Sequence, residues 1–410
     1  MSLALSAPPR RLRRCLPLIG VMVSGGLAIT GDAIAAIALP WFVLSVTGSP
    51  LWTGIAAAAA MVPLAMGALL GGGIVDRLGP RRVAVTAGLV SAATVGTIPL
   101  LHHLDLLQTG TLIGLIALGA VLDGPGAAAG ESRYPELARL AGLRLERVAA
   151  IDELIDTGTS IAGPALAGLL IALIGMENTL WATAGCSLLA AIIAGLSLPG
   201  PRRAQTNQPA SIGLAGAREG LGVLLGDPLL RALMLLITLL VAIFGALDAV
   251  IMPAFLRATG RDVVDLAMFL SAAGVGALAG TLIYAGWGHR LRPRLLLLAG
   301  CAAEAGGVLV LGLAPPTPVL AAAGTIVGLA VGPLGPIANT AILRRIPVAM
   351  RGRTLGVVTA LALAATPLTT LLAGALVEWV GAAPLLFSIA GLLALLTLLA
   401  ARLEGLKELG

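Results

Sequence analysis

Apolar residues along this chain gather into twelve long runs separated by short polar turns rich in Arg, Gly and Pro. The runs fall near residues 16–46, 51–75, 83–101, 109–130, 148–174, 179–198, 230–256, 264–285, 294–313, 317–341, 354–380 and 383–402. Each is long enough to cross a hydrocarbon core of about 30 Å as a helix. None alternates apolar and polar positions with the two-residue period of a membrane barrel. Helices are the other structure that satisfies its own backbone in lipid, so the pattern predicts twelve transmembrane helices. The longest hydrophilic stretch, Pro199 to Asp227, lies midway. Within it, Pro201 to Pro209 reads as a flexible linker. Ser211 to Leu225 reads as an amphipathic surface helix, with Arg218 and Glu219 among Leu214, Leu221 and Leu224.

A loop between spans 2 and 3 recurs between spans 8 and 9. Arg77, Leu78, Pro80 and Arg81 return 213 residues later as Arg290, Leu291, Pro293 and Arg294, and Pro40 returns as Pro253. Internal repetition on this scale marks a duplicated membrane bundle. The expected fold is an all-α integral membrane protein with twelve transmembrane helices in two pseudo-symmetric six-helix bundles. Residues 1–198 form the first bundle, 199–228 the linker with its amphipathic helix, and 229–410 the second bundle.

Composition agrees with a bilayer as solvent. Apolar residues make up 58% of the chain and charged residues 11%, against about 25% charged in a soluble domain. A pI near 10.2 raises nucleic acid as a partner, but aromatics are only 3% and the arginines sit in interhelical loops. Orientation in a membrane accounts for them better. Of the 26 Lys and Arg, all but Arg257 and Arg261 fall on one side when the spans alternate. The expected location is therefore the cytoplasmic membrane, multi-pass, with both termini cytoplasmic. The basic start, Arg10 to Arg14, precedes an apolar run too long for a signal peptide and is read as leading into a retained first span. Cys15, Cys186 and Cys301 are far apart and have no metal-ligand or disulfide spacing. His102 and His103 with Asp105 read as surface residues, so no metal site is expected.

Two six-helix halves carrying this loop resemble the major facilitator superfamily. The family motif Gly-x-x-x-Asp-Arg-x-Gly-x-Arg-Arg stands as Gly72, Asp76, Arg77, Gly79, Arg81 and Arg82, with Pro80 where Arg is common. The span 5 antiporter motif Gly-Pro-x-x-x-Gly is similar to Gly163-Pro164-Ala165-Leu166-Ala167-Gly168, with Ala167 where glycine is usual. Together with Tyr134-Pro135-Glu136-Leu137 and the linker helix, these motifs resemble the twelve-span branch that exports macrolides, siderophores and other amphiphiles. The resemblance implies a monomeric transporter of small amphiphilic substrates, working by alternating access with protons as coupling ion and with no cofactor. It also implies that Asp76, Arg77 and Arg81 act as an inner-gate latch; read from charge alone, the arginines anchor topology. Asp76 would approach the start of span 11 at Gly352-Arg353-Thr354, where a helix N-terminus favours a carboxylate by about 0.3–1 kcal/mol. The second copy has His289 in that place. Gly163, Pro164 and Gly168 would kink span 5 and pack it closely against a neighbour.

Acids inside spans cost roughly 2.5–3.5 kcal/mol on insertion scales and are functional candidates by default. Asp32 in span 1, Asp123 in span 4, Asp248 in span 7 and Glu304 in span 9 are the candidates for substrate binding or proton coupling. No Lys or Arg lies at their depth. Asp32 leads because span 1 lines the cavity in the family that this chain resembles; Glu304 reads rather as a hydrogen-bonded structural acid. Span 4 departs from the antiporter pattern Arg-x-x-Gln-Gly-x-Gly, with Ala120 at the Arg position and Asp123 at the Gln. Asp152, Glu153 and Asp156 open span 5 near Arg144 and Arg147 and read as structural or inner-gate residues. Glu378 reads as solvated.

Other classes fit poorly. The only lysine is Lys407, so no Gly-x-x-x-x-Gly-Lys phosphate loop exists. An intramembrane enzyme needs a nucleophile and base or a metal cluster at depth, and neither pattern is present. A sensor or scaffold remains as a non-transport reading, and an importer or facilitator of a lipid-like or polar metabolite as the alternative transport reading.

Overall fold

The computed structural model describes residues 10–198, 214–290, 292–346 and 350–407. Among them, twelve helical stretches are long and apolar enough to cross a membrane. The first three spans are single helices, α1 (Arg10–Thr47), α2 (Pro50–Leu78) and α3 (Pro80–His103). The fourth is broken into α4 (Thr109–Ala120), α5 (Asp123–Glu131) and α6 (Tyr134–Ala141); α7 (Leu145–Ile174) and α8 (Met176–Ser197) follow. The amphipathic helix is α9 (Leu214–Gly226). Its polar Arg218 and Glu219 are exposed, while Leu224 is fully buried in a cluster with Leu230, Met234 and Val358.

Span 7 comprises α10 (Pro228–Ala246), a π-helical turn at Leu247–Ile251 and α11 (Met252–Ala258). Then come α12 (Val263–Trp287), α13 (Pro293–Gly312), α14 (Thr317–Val331), α15 (Leu334–Arg345), α16 (Arg351–Val380), α17 (Ala382–Arg402) and the short α18 (Glu404–Lys407).

Two departures from the hydropathy pattern matter. The fourth span does not end at residue 130 but runs on to Ala141, because Tyr134, Leu137 and Ala138 pack into a core with Leu18, Val148 and Leu198. Charges at Glu131, Arg133, Glu136 and Arg139 mask that burial in a hydropathy average. Gly142, at φ +69°, ends the segment in the left-handed conformation that suits glycine. Spans 4 and 10 are also broken at matching points: α4 ends at Ala120 and α14 at Val331, and α5 starts at Asp123 and α15 at Leu334, each pair 211 residues apart. Gly124-Pro125 and Gly335-Pro336 open the two second segments.

Helix starts follow known capping chemistry. Asp227 caps α10, its Oδ1 accepting from the amides of Leu229 (2.8 Å) and Leu230 (3.1 Å), and its Oδ2 meets Arg345 Nη1 at 2.9 Å. Partial burial works against the charge, but the Arg345 and backbone hydrogen bonds outweigh it and hold this carboxyl below its ordinary range. Gly79 precedes α3 at φ +85° with Pro80 in the first turn. Its counterpart in the repeat, Arg292, precedes α13 with extended backbone at φ −81°, so the two loops turn differently.

Packing divides the chain into two compact units: unit 1 holds residues 1–35, 62–160 and 177–210, and unit 2 holds 36–61, 161–176 and 211–410. This cut differs from one at the linker, because the stretches 36–61 and 161–176 pack with the helices of the second bundle. Gly54 of α2 lies against Thr370 and Gly374 of α16 so closely that a Cβ would come within 2.5 Å of the Thr370 carbonyl. Glu378 Oε2 accepts from Ser49 Oγ at 2.7 Å and the Leu51 amide at 3.2 Å. That acid, read as solvated from the sequence, is exposed and also engages the start of α2.

Candidate functional site

Unit 1 encloses a cavity of about 370 Å³. Small residues open it: on α1, Val21, Ser24, Gly25, Ala28 and Ile29 line it at helical spacing and lead to Asp32. On α5 the same face carries Asp123 and then Glu131, and it continues to Tyr134 on α6. Asp152, Glu153 and Asp156 enter from the first turns of α7. Six carboxyl groups thus face one space whose wall, among the described residues, holds no Lys, Arg or His.

Few hydrogen bonds occupy these acids. The Tyr134 hydroxyl donates to Asp152 Oδ1 at 2.5 Å. Ser91 and Ser187 pair across the wall at 3.3 Å, and Ser24 donates to the Ala190 carbonyl at 2.9 Å. Asp32 and Asp123 line the same cavity. Like charges gathered on one wall repel one another, and protons or a cationic ligand would offset that repulsion.

Unit 2 holds a second cavity, about 590 Å³, bounded by α10, α12, α13, α14 and α15. Asp248, carried on the π-helical turn, and Glu304 of α13 both line it. The four candidate acids thus fall by cavity into two pairs, Asp32 with Asp123 and Asp248 with Glu304. Glu304 is 4% exposed, and its Oε2 has no hydrogen-bond partner. The sequence favours a hydrogen-bonded structural acid here, and in the structure one of its two oxygens is left without a partner among the described residues.

The gate loop is described in part. Gly72, the side chains of Asp76 and His289, and those of Gly352 and Arg353 lie outside the described residues. Arg77, Arg81 and Arg82 are exposed, and the latter two border a groove between α3 and α8 with Val85, Leu89 and Leu196. The repeat counterpart of Arg81 is used otherwise: Arg294 donates to the Ala401 carbonyl at 2.6 Å, in the last turn of α17. Around the span 5 motif, α7 runs unbroken through Pro164. A Cβ on Gly168 would sit 2.4 Å from that of Ala267, so α7 and α12 meet at near-backbone distance. Gly274 of α12 lies against Ile161 in the same way.

Glu131 had no part in the sequence reading, and Asp152, Glu153 and Asp156 were assigned to structure or gating. Their signal was spacing: Asp123, Ala127, Glu131 and Tyr134 fall at helical intervals on one face.

Comparisons with known proteins agree with this architecture. The sequence model of the Major Facilitator Superfamily matches residues 21–270 and again 234–407. A protein named multidrug efflux pump Tap, from Mycolicibacterium fortuitum, is 33% identical over 399 residues, covering 96% of this chain and 97% of that one. Its namesake from Mycobacterium tuberculosis is 34% identical over 400 residues, covering 96% and 94%. Among solved structures, the nucleoside transporter NupG superposes with a TM-score of 0.78 at 14% identity, over 94% of this chain and 98% of that one. A D-xylose-proton symporter gives 0.66 at 15% identity, over 95% and 98%. At such identities these likenesses show the fold.

Proposed function

The chain belongs to the major facilitator superfamily and is a multi-pass membrane transporter rather than an enzyme; we propose that it exports amphiphilic small molecules in exchange for protons. The observation that carries this reading is the unit 1 cavity, with six carboxyl groups and, among the described residues, no basic side chain on its wall. Asp32 and Asp123 are the coupling pair: each can bind a proton or face a cation, and like-charge repulsion links their occupancies. Asp123 stands where the antiporter pattern has Gln and supplies the chemistry that the absent span 4 arginine does not. The relatives named as multidrug efflux pumps support the cargo class.

Both termini face the cytoplasm in this reading. The two arginines that break the charge asymmetry serve helix ends: Arg257 Nη1 donates to the Leu44 carbonyl, and Arg261 Nη2 to the Ala314 carbonyl at 2.9 Å. Cations that satisfy terminal carbonyls have a local reason to be there. The ends of α1, α2 and α7 that lie outside in this orientation are packed tightly within unit 2, at Gly54 and Gly168. Alternating access then requires these contacts to open while the loop at Asp76, Arg77 and Arg81 closes the cytoplasmic side.

The test is transport by purified protein in liposomes with an imposed pH gradient. Ethidium should move faster with the gradient than without it, and Asp32→Asn should abolish the difference. If the gradient has no effect on the wild type, or Asp32→Asn keeps it, the coupling assignment is wrong.

A further inference from the structure

The two cavities differ in kind. Against the six carboxyls of unit 1, the unit 2 wall is aliphatic and aromatic except at Asp248, Glu304 and Asn339. We propose that the unit 2 cavity binds a lipophilic organic cation, whose apolar body packs on Phe244 and Phe269 and whose positive centre is held by Glu304 with Asp248. The site deepens the export reading by naming a cargo class and a place for it, and only its physiological use rests on that reading.

Size and wall chemistry favour a small organic ligand. At about 590 Å³ the space lies within the 300–1,000 Å³ typical of small-molecule pockets, which join an apolar lining to a few convergent polar groups. Glu304 supplies the second observation: it is 4% exposed, lines the cavity, and leaves Oε2 without a donor. A buried carboxyl oxygen in that condition is costly unless something else completes it. Among the described residues the wall carries no Lys, Arg or His to do so, and a cationic ligand would complete it.

Asp248 reaches the cavity from a π-helical turn. Such turns insert an extra residue and redirect the side chains they carry, and they recur at functional sites. Phe244 and Phe269 present ring surface to the same space, and aromatic faces attract cations. Carboxyls and rings together select a cation over an anion; the aliphatic remainder selects a hydrophobic one over a hydrated metal ion. Room for the ligand is built from glycine. Gly335, opposite in the repeat to Gly124, lines the cavity, and a Cβ placed on it meets nothing within 4 Å.

The experiment is equilibrium binding of radiolabelled tetraphenylphosphonium to the purified full chain in detergent, with neutral triphenylphosphine oxide as the uncharged probe. Glu304→Gln should weaken tetraphenylphosphonium binding about tenfold, the order of one partly screened charge–charge attraction, and leave the oxide unchanged. Gly335→Leu should fill the space and weaken both probes. Gly391→Ala, where an added Cβ meets nothing within 4 Å, should bind tetraphenylphosphonium as the wild type does. A wild type that does not bind the cation, or a loss under fivefold in Glu304→Gln, overturns the proposal. So does an equal loss of both probes in Glu304→Gln, since that would report a disturbed fold. If Gly335→Leu fails to fold, Glu304→Gln alone decides. Unchanged binding in Glu304→Gln alongside lost gradient coupling in Asp32→Asn would sink the site and spare the proton reading; the reverse pattern would sink only the latter.

Discussion

Gly328→Ala tests whether α12 and α14 meet at backbone contact. Gly324, Gly328 and Gly332 repeat every four residues along one face of the tenth span, opposite Gly276 and Gly280 of α12. A Cβ on Gly328 would fall 1.9 Å from the Ala273 carbonyl oxygen and 2.8 Å from the Ala277 nitrogen. Both are main-chain atoms and cannot rotate aside, so the helices must separate by roughly 1 Å or more. A gap of that size forfeits about a quarter to a half of the dispersion attraction at each contact along the seam. Overpacking of this kind costs about 1–3 kcal/mol, against which the better helix propensity of Ala returns about 1 kcal/mol. Thermal unfolding in detergent can be followed with a thiol-reactive fluorophore, because Cys301 is 2% exposed in the folded state. Gly306→Ala and Gly391→Ala serve as controls, since a Cβ there meets nothing within 4 Å. Gly328→Ala should melt several degrees below both. Equal melting temperatures would refute a backbone-to-backbone seam.

Three further outcomes follow from the hydrogen bonds. Asp227→Asn keeps a capping side chain but loses the Arg345 pair, about 0.5 kcal/mol at this exposure. Because the folded carboxyl sits below its ordinary range, that deficit should be full above about pH 5 and vanish as pH falls through the lowered value; a deficit that grows on acidification refutes it. Glu378→Gln weakens the acceptor for Ser49 and Leu51, so a cysteine placed at Ser49 should react faster with a membrane-impermeant maleimide than in the wild-type background. Tyr134→Phe removes the donor to Asp152 and should cost about 1 kcal/mol, with Asp152→Asn adding little in the double mutant if the pair acts as a unit.

Much of the fold was legible because lipid leaves few options: a run of about 20 apolar residues without charge reads as a crossing helix wherever it occurs. Legibility failed where burial came from neighbours instead of lipid. Residues 131–141 carry four charges and so fell outside the fourth span, yet Tyr134 and Leu137 are buried against Leu18 and Leu198. Glu131 was lost with that boundary. Glu304 is hard to read for a related reason: whether a buried acid finds a donor depends on side chains from other helices, and among the described residues none reaches Oε2. The repeat was plain in the loops and silent about the cavities. Both halves break a helix at Gly-Pro, 211 residues apart, so duplication kept the backbone device. What stands at the first residue of the new segment differs: Asp123 in one copy and Leu334 in the other. The same inequality recurs at Gly79 against Arg292 and Asp76 against His289. One backbone plan therefore frames an acidic cavity in unit 1 and an apolar one in unit 2, and the positions at which the copies diverge are where a functional search of such a chain should begin.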